Sequence, residues 1–122
     1  MSPARPRVLV ADDHPEVATA VCRLLALDCE VVGTIADGSA LLEALQRLEP
    51  DAIVLDLSLP GVHAVEACRQ LTRMYPAMKV IVFSAMSDPE VSDALVAAGA
   101  SAFVSKLASD DLPATIRRLC AD

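Results

Sequence analysis

The chain has 122 residues, enough for one domain with a real core. Hydrophobic residues make up 54% and aromatics only 2%, which excludes a disordered chain and argues against base-stacking surfaces for single-stranded nucleic acid. Seventeen acidic against ten basic residues leave a net charge of −7, so the domain is unsuited to binding a polyanion directly, whereas a local acidic cluster would suit a cation.

Met1 to Pro6 lacks the apolar stretch of a signal peptide and reads as a short flexible tail ahead of a domain spanning 7–122. Arg7 to Ala11 (R-V-L-V-A) predicts a strand that ends in Asp12-Asp13. His14-Pro15 then opens a helix, with Asp13 or His14 as cap, because proline suits the first helical turn. Val17, Ala20, Val21, Leu24 and Leu25 supply its apolar stripe. Glu30 to Ile35 predicts a second strand, and Asp37-Gly38-Ser39 reads as turn and cap chemistry. Leu41, Leu42, Leu45 and Leu48 stripe a second helix, which Pro50 stops.

The third strand, Ala52 to Leu57, is an apolar run broken once, by Asp56, and stopped by Pro60-Gly61. A charge is costly inside an apolar strand unless it has a partner or sits at the strand's end. Asp56 is therefore expected at the carboxyl end, facing out. A third helix is expected from Val62 onward, with Val65, Cys68 and Tyr75 on one side and Pro76 at its end. Lys79 to Ser84 predicts a fourth strand. Ser87-Asp88-Pro89-Glu90 starts a fourth helix, with Asp88 as cap; it runs to about Ala98 and is followed by Gly99. Ala102 to Ser105 predicts a fifth strand ending at Lys106, and Ser109-Asp110-Asp111 opens a last helix bearing Leu112, Ile116, Leu119 and Cys120. Pro113 is tolerated there because it lies in the first turn.

Strand and helix alternate five times. Strands apolar on both faces imply a parallel sheet covered on both sides, and right-handed crossovers make it a doubly wound α/β fold. Function in such folds gathers at the carboxyl ends of the strands. There this chain brings Asp12 and Asp13, Asp56, Ser84 and Lys106. Clustered carboxylates repel and call for a cation, and oxygen ligands suit Mg²⁺. A carboxylate can act as nucleophile toward phosphorus, and that transfer needs a metal and a lysine to neutralise phosphoryl oxygens, plus a hydroxyl donor. Taken singly, each residue has a plainer role: a helix start, a solvated strand end, a loop hydroxyl, a surface lysine. Four strand ends carrying complementary chemistry argue otherwise. Cys22, Cys29, Cys68 and Cys120 form no C-x-x-C pair and read as reduced thiols that pack as small hydrophobes. His14 reads as a cap residue and His63 as a loop residue, and neither is assigned a metal.

The pieces V-L-V-A-D-D-H-P (Val8 to Pro15), D-L-S-L-P-G (Asp56 to Gly61), V-I-V-F-S-A (Val80 to Ala85), A-A-G-A (Ala97 to Ala100) and F-V-S-K (Phe103 to Lys106), in this order, resemble a response-regulator receiver domain of two-component signalling. D-D-H-P and D-L-S-x-P-G are similar to the NarL/FixJ subfamily, whose receivers precede a LuxR-type helix-turn-helix. The resemblance implies a flavodoxin-like sheet of order 2-1-3-4-5. It implies that Asp56 is the phospho-acceptor of a sensor histidine kinase. Asp13 and Asp56, with the main-chain carbonyl of Ser58, would bind Mg²⁺ directly and Asp12 through water. Lys106 would pair with the phosphoryl group, and Ser84 would hydrogen-bond it. Phe103 would follow as the switch aromatic, and the helix from Pro89 to Ala98 would offer a partner-facing surface.

No apolar run is long enough to span a membrane, so the chain reads as cytoplasmic and not a membrane protein, and the resemblance implies that it acts on transcription. It allows a homodimer, and it brings DNA into contact only through a C-terminal helix-turn-helix domain absent from this chain. The sequence departs from the family pattern at His63-Ala64, where an acidic or amide residue and glycine are usual. It departs again at Leu107, where proline is common, and Ser84 and Phe103 replace the commoner Thr and Tyr. A haloacid-dehalogenase-type phosphatase would need a second acid at position 58, and a flavodoxin-type electron carrier would need a phosphate loop and flanking aromatics. The remaining alternative is a phosphorylation-independent receiver that serves as an interaction module.

Overall fold

The computed structural model describes residues 5–85 and 88–121; the first four residues of the expected tail, Ser87 of the expected helix start and Asp122 lie outside these. The chain runs β1 (Arg7–Ala11), α1 (Pro15–Leu25), β2 (Glu30–Ile35), α2 (Leu41–Leu48), β3 (Ala52–Asp56), α3 (Ala64–Met74), β4 (Lys79–Ser84), α4 (Pro89–Ala97), β5 (Ala102–Ser105) and α5 (Asp111–Cys120). Short 3₁₀ turns occupy Gly38–Ala40 and Lys106–Ala108. All pairings are parallel and the sheet order is β2-β1-β3-β4-β5. This is the doubly wound flavodoxin-like fold.

Alternation within the strands builds two cores. Leu9, Ile53, Leu55, Val80 and Val82 point to one face of the sheet, where Leu41 and Leu45 of α2, Cys68 and Leu71 of α3 and Leu95 of α4 cover them. Val8, Val10, Val54, Ile81 and Phe83 point to the other, against Val21 and Leu25 of α1 and Leu112 and Ile116 of α5. With helices on both faces, β3 is buried along its whole length, which explains its unbroken apolar run. A fully buried leucine such as Leu45 contributes roughly 2 kcal/mol by leaving water. The cysteines are free thiols, and burial pushes those of Cys29 and Cys68 up to about 11, so they stay protonated and inert.

Three boundaries differ from the sequence expectation. β3 ends at Asp56 rather than Leu57. α3 starts at Ala64, not Val62, because the chain first turns twice: Leu59 N–H donates to Asp56 O and Val62 N–H to Leu59 O, with Gly61 at φ +78° between them. α5 starts at Asp111 rather than Ser109, after the 3₁₀ turn and a further turn closed by Leu112 N–H on Ser109 O.

The helix caps follow the sequence more closely. Asp37 receives the amide of Ser39, and Asp88 receives that of Glu90 ahead of Pro89. Gly99 follows α4 at φ +113°, and a Cβ there would collide with the Thr72 side chain. Only glycine suits that position. On α4, Leu95 and the following Ala98 are buried and Val91 packs on the core, whereas Ala94 and Val96 are exposed. The apolar residues of α4 thus divide between an inner stripe and an outer surface.

Candidate functional site: a buried carboxylate cluster

The carboxyl ends of β1 and β3 lie side by side, since Ala11 pairs with Leu55. β4 and β5 extend this edge, with Asp56 level with Phe83 and Ser84 level with Ser105. The register therefore brings Asp12, Asp13, Asp56, Ser84 and Lys106 to one end of the sheet. Asp56 is not turned out to solvent, as its strand-end position suggests. Its side chain and that of Asp12 are each only 2% exposed. Helices on both faces and the loop 57–63 enclose the strand end, so the carboxylate is buried despite leaving the apolar run.

The two oxygens of Asp56 differ. Oδ1 accepts both the amide and the hydroxyl of Ser58, each at 3.1 Å. Oδ2 has no hydrogen bond, and Lys106 Nζ approaches it at 3.4 Å. Lys106 Nζ lies 3.2 Å from Asp12 Oδ2, which likewise has no hydrogen bond. One ammonium thus compensates two buried carboxylates. The same ammonium sits 5.6 Å from the centroid of the Phe83 ring, a cation–π contact that helps hold it. Burial pushes the Asp12 carboxyl up, but the His14 amide, the Lys106 ammonium and the His14 ring together outweigh it, and Asp12 ends below its ordinary value.

His14 holds the cap position of α1, as its place in the sequence suggests, but its side chain makes no capping bond. Its ring turns to the carboxylates instead. Nδ1 lies 3.1 Å from Asp12 Oδ1, 3.1 Å from Asp13 Oδ1 and 3.7 Å from Asp56 Oδ2. The clue in the sequence is adjacency: a cap residue between β1 and α1 stands at the same edge as Asp12 and Asp13. The Ser58 hydroxyl, a second contributor that the sequence does not announce, reaches Asp56 because the loop turns back immediately after β3.

Ser84 is buried, and it lines a cleft of about 300 Å³ with His14, Val17, Asp56, Leu57, Ser58, Ala85 and Lys106. Phe103 is half-buried and lies outside this cleft, packed against the core covered by α2, α3 and α4. His63 is exposed at the start of α3.

The cluster fits a divalent cation on two observations. Asp12, Asp13, His14 and Asp56 each offer a ligand atom, all within 4.8 Å of one another. Three buried carboxylate oxygens, Asp12 Oδ2, Asp13 Oδ1 and Asp56 Oδ2, have no hydrogen bond. Buried oxygens left in that state are ones that an ion would satisfy. No helix among the described residues is long and apolar enough to cross a membrane.

Comparison with known proteins agrees with this arrangement. Residues 8–117 match the family described as response regulator receiver domain. The response regulator GacA of Pseudomonas aeruginosa is 35% identical over 119 residues, covering 94% of this chain and 55% of GacA. The signal receiver domain of the response regulator NarL from Mycobacterium tuberculosis superposes with a TM-score of 0.87 at 29% identity, covering 97% of this chain and 98% of that one. The RcsB response regulator of Salmonella typhimurium gives a TM-score of 0.88 at 27% identity, over 96% of this chain and 60% of RcsB. The chain spans about half the length of the curated relatives it matches, 48% in one GacA and 55% in another. With its fold, its motif order and these relatives in agreement, the chain belongs to the receiver domains of two-component response regulators, of the NarL/FixJ type.

Proposed function

We propose that residues 7–122 form a cytoplasmic phospho-acceptor switch in which Asp56 takes a phosphoryl group from the phosphohistidine of a sensor histidine kinase. The observation that carries this reading is Asp56 itself: a carboxylate 2% exposed, one oxygen held by Ser58, the other free of hydrogen bonds beside a lysine. A carboxylate oxygen of Asp56 forms the new bond to phosphorus while the bond from phosphorus to the kinase imidazole breaks; the imidazole leaves and takes up a proton. Ser58 fixes the orientation of the acceptor through its two donors. Lys106, already between Asp12 and Asp56, neutralises charge on the phosphoryl oxygens. Asp13 and Asp56, with the Ser58 carbonyl, would hold Mg²⁺ directly and Asp12 through water. When bound, that ion supplies the remaining charge neutralisation for phosphoryl transfer.

The same reading gives the switch. The Ser84 hydroxyl hydrogen-bonds the new phosphoryl group and draws its loop inward, and Phe103 and α4 follow. Leu95 is the only buried residue within α4, so this helix is lightly anchored and suited to move. The output is control of transcription through a DNA-binding region. In support, RcsB has been seen bound to promoter rprA, and EvgA of Escherichia coli is described as a DNA-binding transcriptional activator. This reading allows a homodimer.

The test is intact mass after incubation with Mg²⁺ and acetyl phosphate. Wild type is expected to gain one phosphoryl group; Asp56→Asn, or wild type treated beforehand with chelator, should gain none. An adduct that survives Asp56→Asn would reassign the acceptor. No adduct on wild type would favour a phosphorylation-independent interaction module.

A further inference from the structure

We propose that His14 is a metal ligand of the carboxylate cluster and shifts its preference from Mg²⁺ toward divalent ions that bind nitrogen, such as Co²⁺ and Zn²⁺. The inference rests on reading the cluster as the cation site. Its starting point is a mismatch in hydrogen bonding. Nδ1 of His14 faces two carboxylate oxygens at 3.1 Å, one from Asp12 and one from Asp13. A ring nitrogen carries at most one proton. Nδ1 hydrogen-bonds Asp12 Oδ1, while Asp13 Oδ1, a buried atom, has no hydrogen bond. A metal ion among these atoms would satisfy the nitrogen and both carboxylates together.

Four further observations point the same way. The side chains of Asp12 and Asp56, each 2% exposed, both keep an oxygen without a hydrogen bond, Oδ2, that has the Lys106 ammonium beside it, at 3.2 and 3.4 Å. Nδ1 also lies 3.7 Å from Asp56 Oδ2, so it stands near a carboxylate oxygen of all three aspartates. The backbone fixes where the ring starts from: the His14 amide donates to Asp12 Oδ1 at 2.9 Å, and Pro15 starts α1 immediately after. The ring is also 56% exposed, so it stands at the mouth of the site and can adjust to an ion without disturbing the core. Three carboxylates alone make a hard oxygen site suited to Mg²⁺. Adding an imidazole makes a mixed nitrogen–oxygen site, and affinity for first-row ions then rises along Mn²⁺, Co²⁺ and Ni²⁺ while Mg²⁺ gains little.

The experiment titrates the whole chain with Co²⁺, followed by its visible absorption, then displaces it with Mg²⁺, for wild type, His14→Ala and Asp13→Asn. The ratio of Co²⁺ to Mg²⁺ affinity is expected to fall about tenfold or more in His14→Ala. Nitrogen NMR of wild type gives a second readout that needs no variant: Zn²⁺ should shift Nδ1 of His14 while His63 stays in place. An unchanged affinity ratio, or a His14 signal indifferent to Zn²⁺, overturns the inference. If Mg²⁺ binding is nonetheless present and lost in Asp13→Asn, the cluster remains a cation site that uses oxygens alone. If wild type binds neither ion, the inference and the reading of the cluster fall together.

Discussion

Two carboxylates flank the same strand and live in opposite conditions. Asp51, just before β3, is exposed, and its Oδ2 accepts the amide of Arg7 at 2.9 Å. Its own amide and carbonyl join Arg7 and Lys79 across the neighbouring strands. It extends the hydrogen-bond ladder of the sheet and stays hydrated. Asp56, five residues on, is buried with one oxygen lacking a hydrogen bond, and it shares a single lysine with Asp12. The first arrangement is what stability alone would favour. The second keeps like charges close together in a poorly hydrated place, the frustration expected of the chemical site we propose.

The contrast can be broken from either end. The largest effect is expected from Lys106→Met, which leaves Asp12 and Asp56 buried without their shared cation. In chelator the variant should lose roughly 3 kcal/mol of stability in urea unfolding, and Mg²⁺ should restore part of it. A variant as stable as wild type would mean that the carboxylates do not need the lysine. Asp56→Asn acts in the opposite direction. The amide oxygen still accepts from Ser58, one buried negative charge disappears, and stability without Mg²⁺ should rise by about 1 kcal/mol. Thermal unfolding with and without Mg²⁺ reads this, and the stabilisation by Mg²⁺ should shrink at the same time. The smallest effect is expected from Asp51→Ala, which removes one exposed hydrogen bond. It should cost about 0.5–1 kcal/mol, with labelling by acetyl phosphate still going to completion. Loss of labelling there would show that the two ends of the strand are coupled.

Several elements are legible in the amino-acid sequence because their signals are local. Asp88-Pro89 and Gly99 set the ends of α4, and Asp37 caps its turn, since each acts on backbone groups within two or three residues. Sequence and fold part where local signals compete. Val62 and Val65 suggest a helix from Val62, but Gly61 at positive φ and two consecutive turns delay it to Ala64. His14 has cap chemistry and takes the cap position, yet its ring finds better partners in the carboxylates than in the helix's own amides.

The sequence by itself determined the alternation of strands and helices, hence the parallel sheet, and it marked Asp12, Asp13, Asp56, Ser84 and Lys106 as the polar ends of apolar runs. Periodicity and strand length are properties of short segments and need no partner to be seen. Only the tertiary structure decided which carboxylate oxygens are satisfied. Lys106 reaches Asp12 and Asp56 from the end of β5, and burial of Asp56 depends on helices packed over both faces of the sheet. Hydrogen bonding and desolvation are set by neighbours distant in the chain, so two aspartates on either side of one strand look alike in sequence and differ only once the sheet is built.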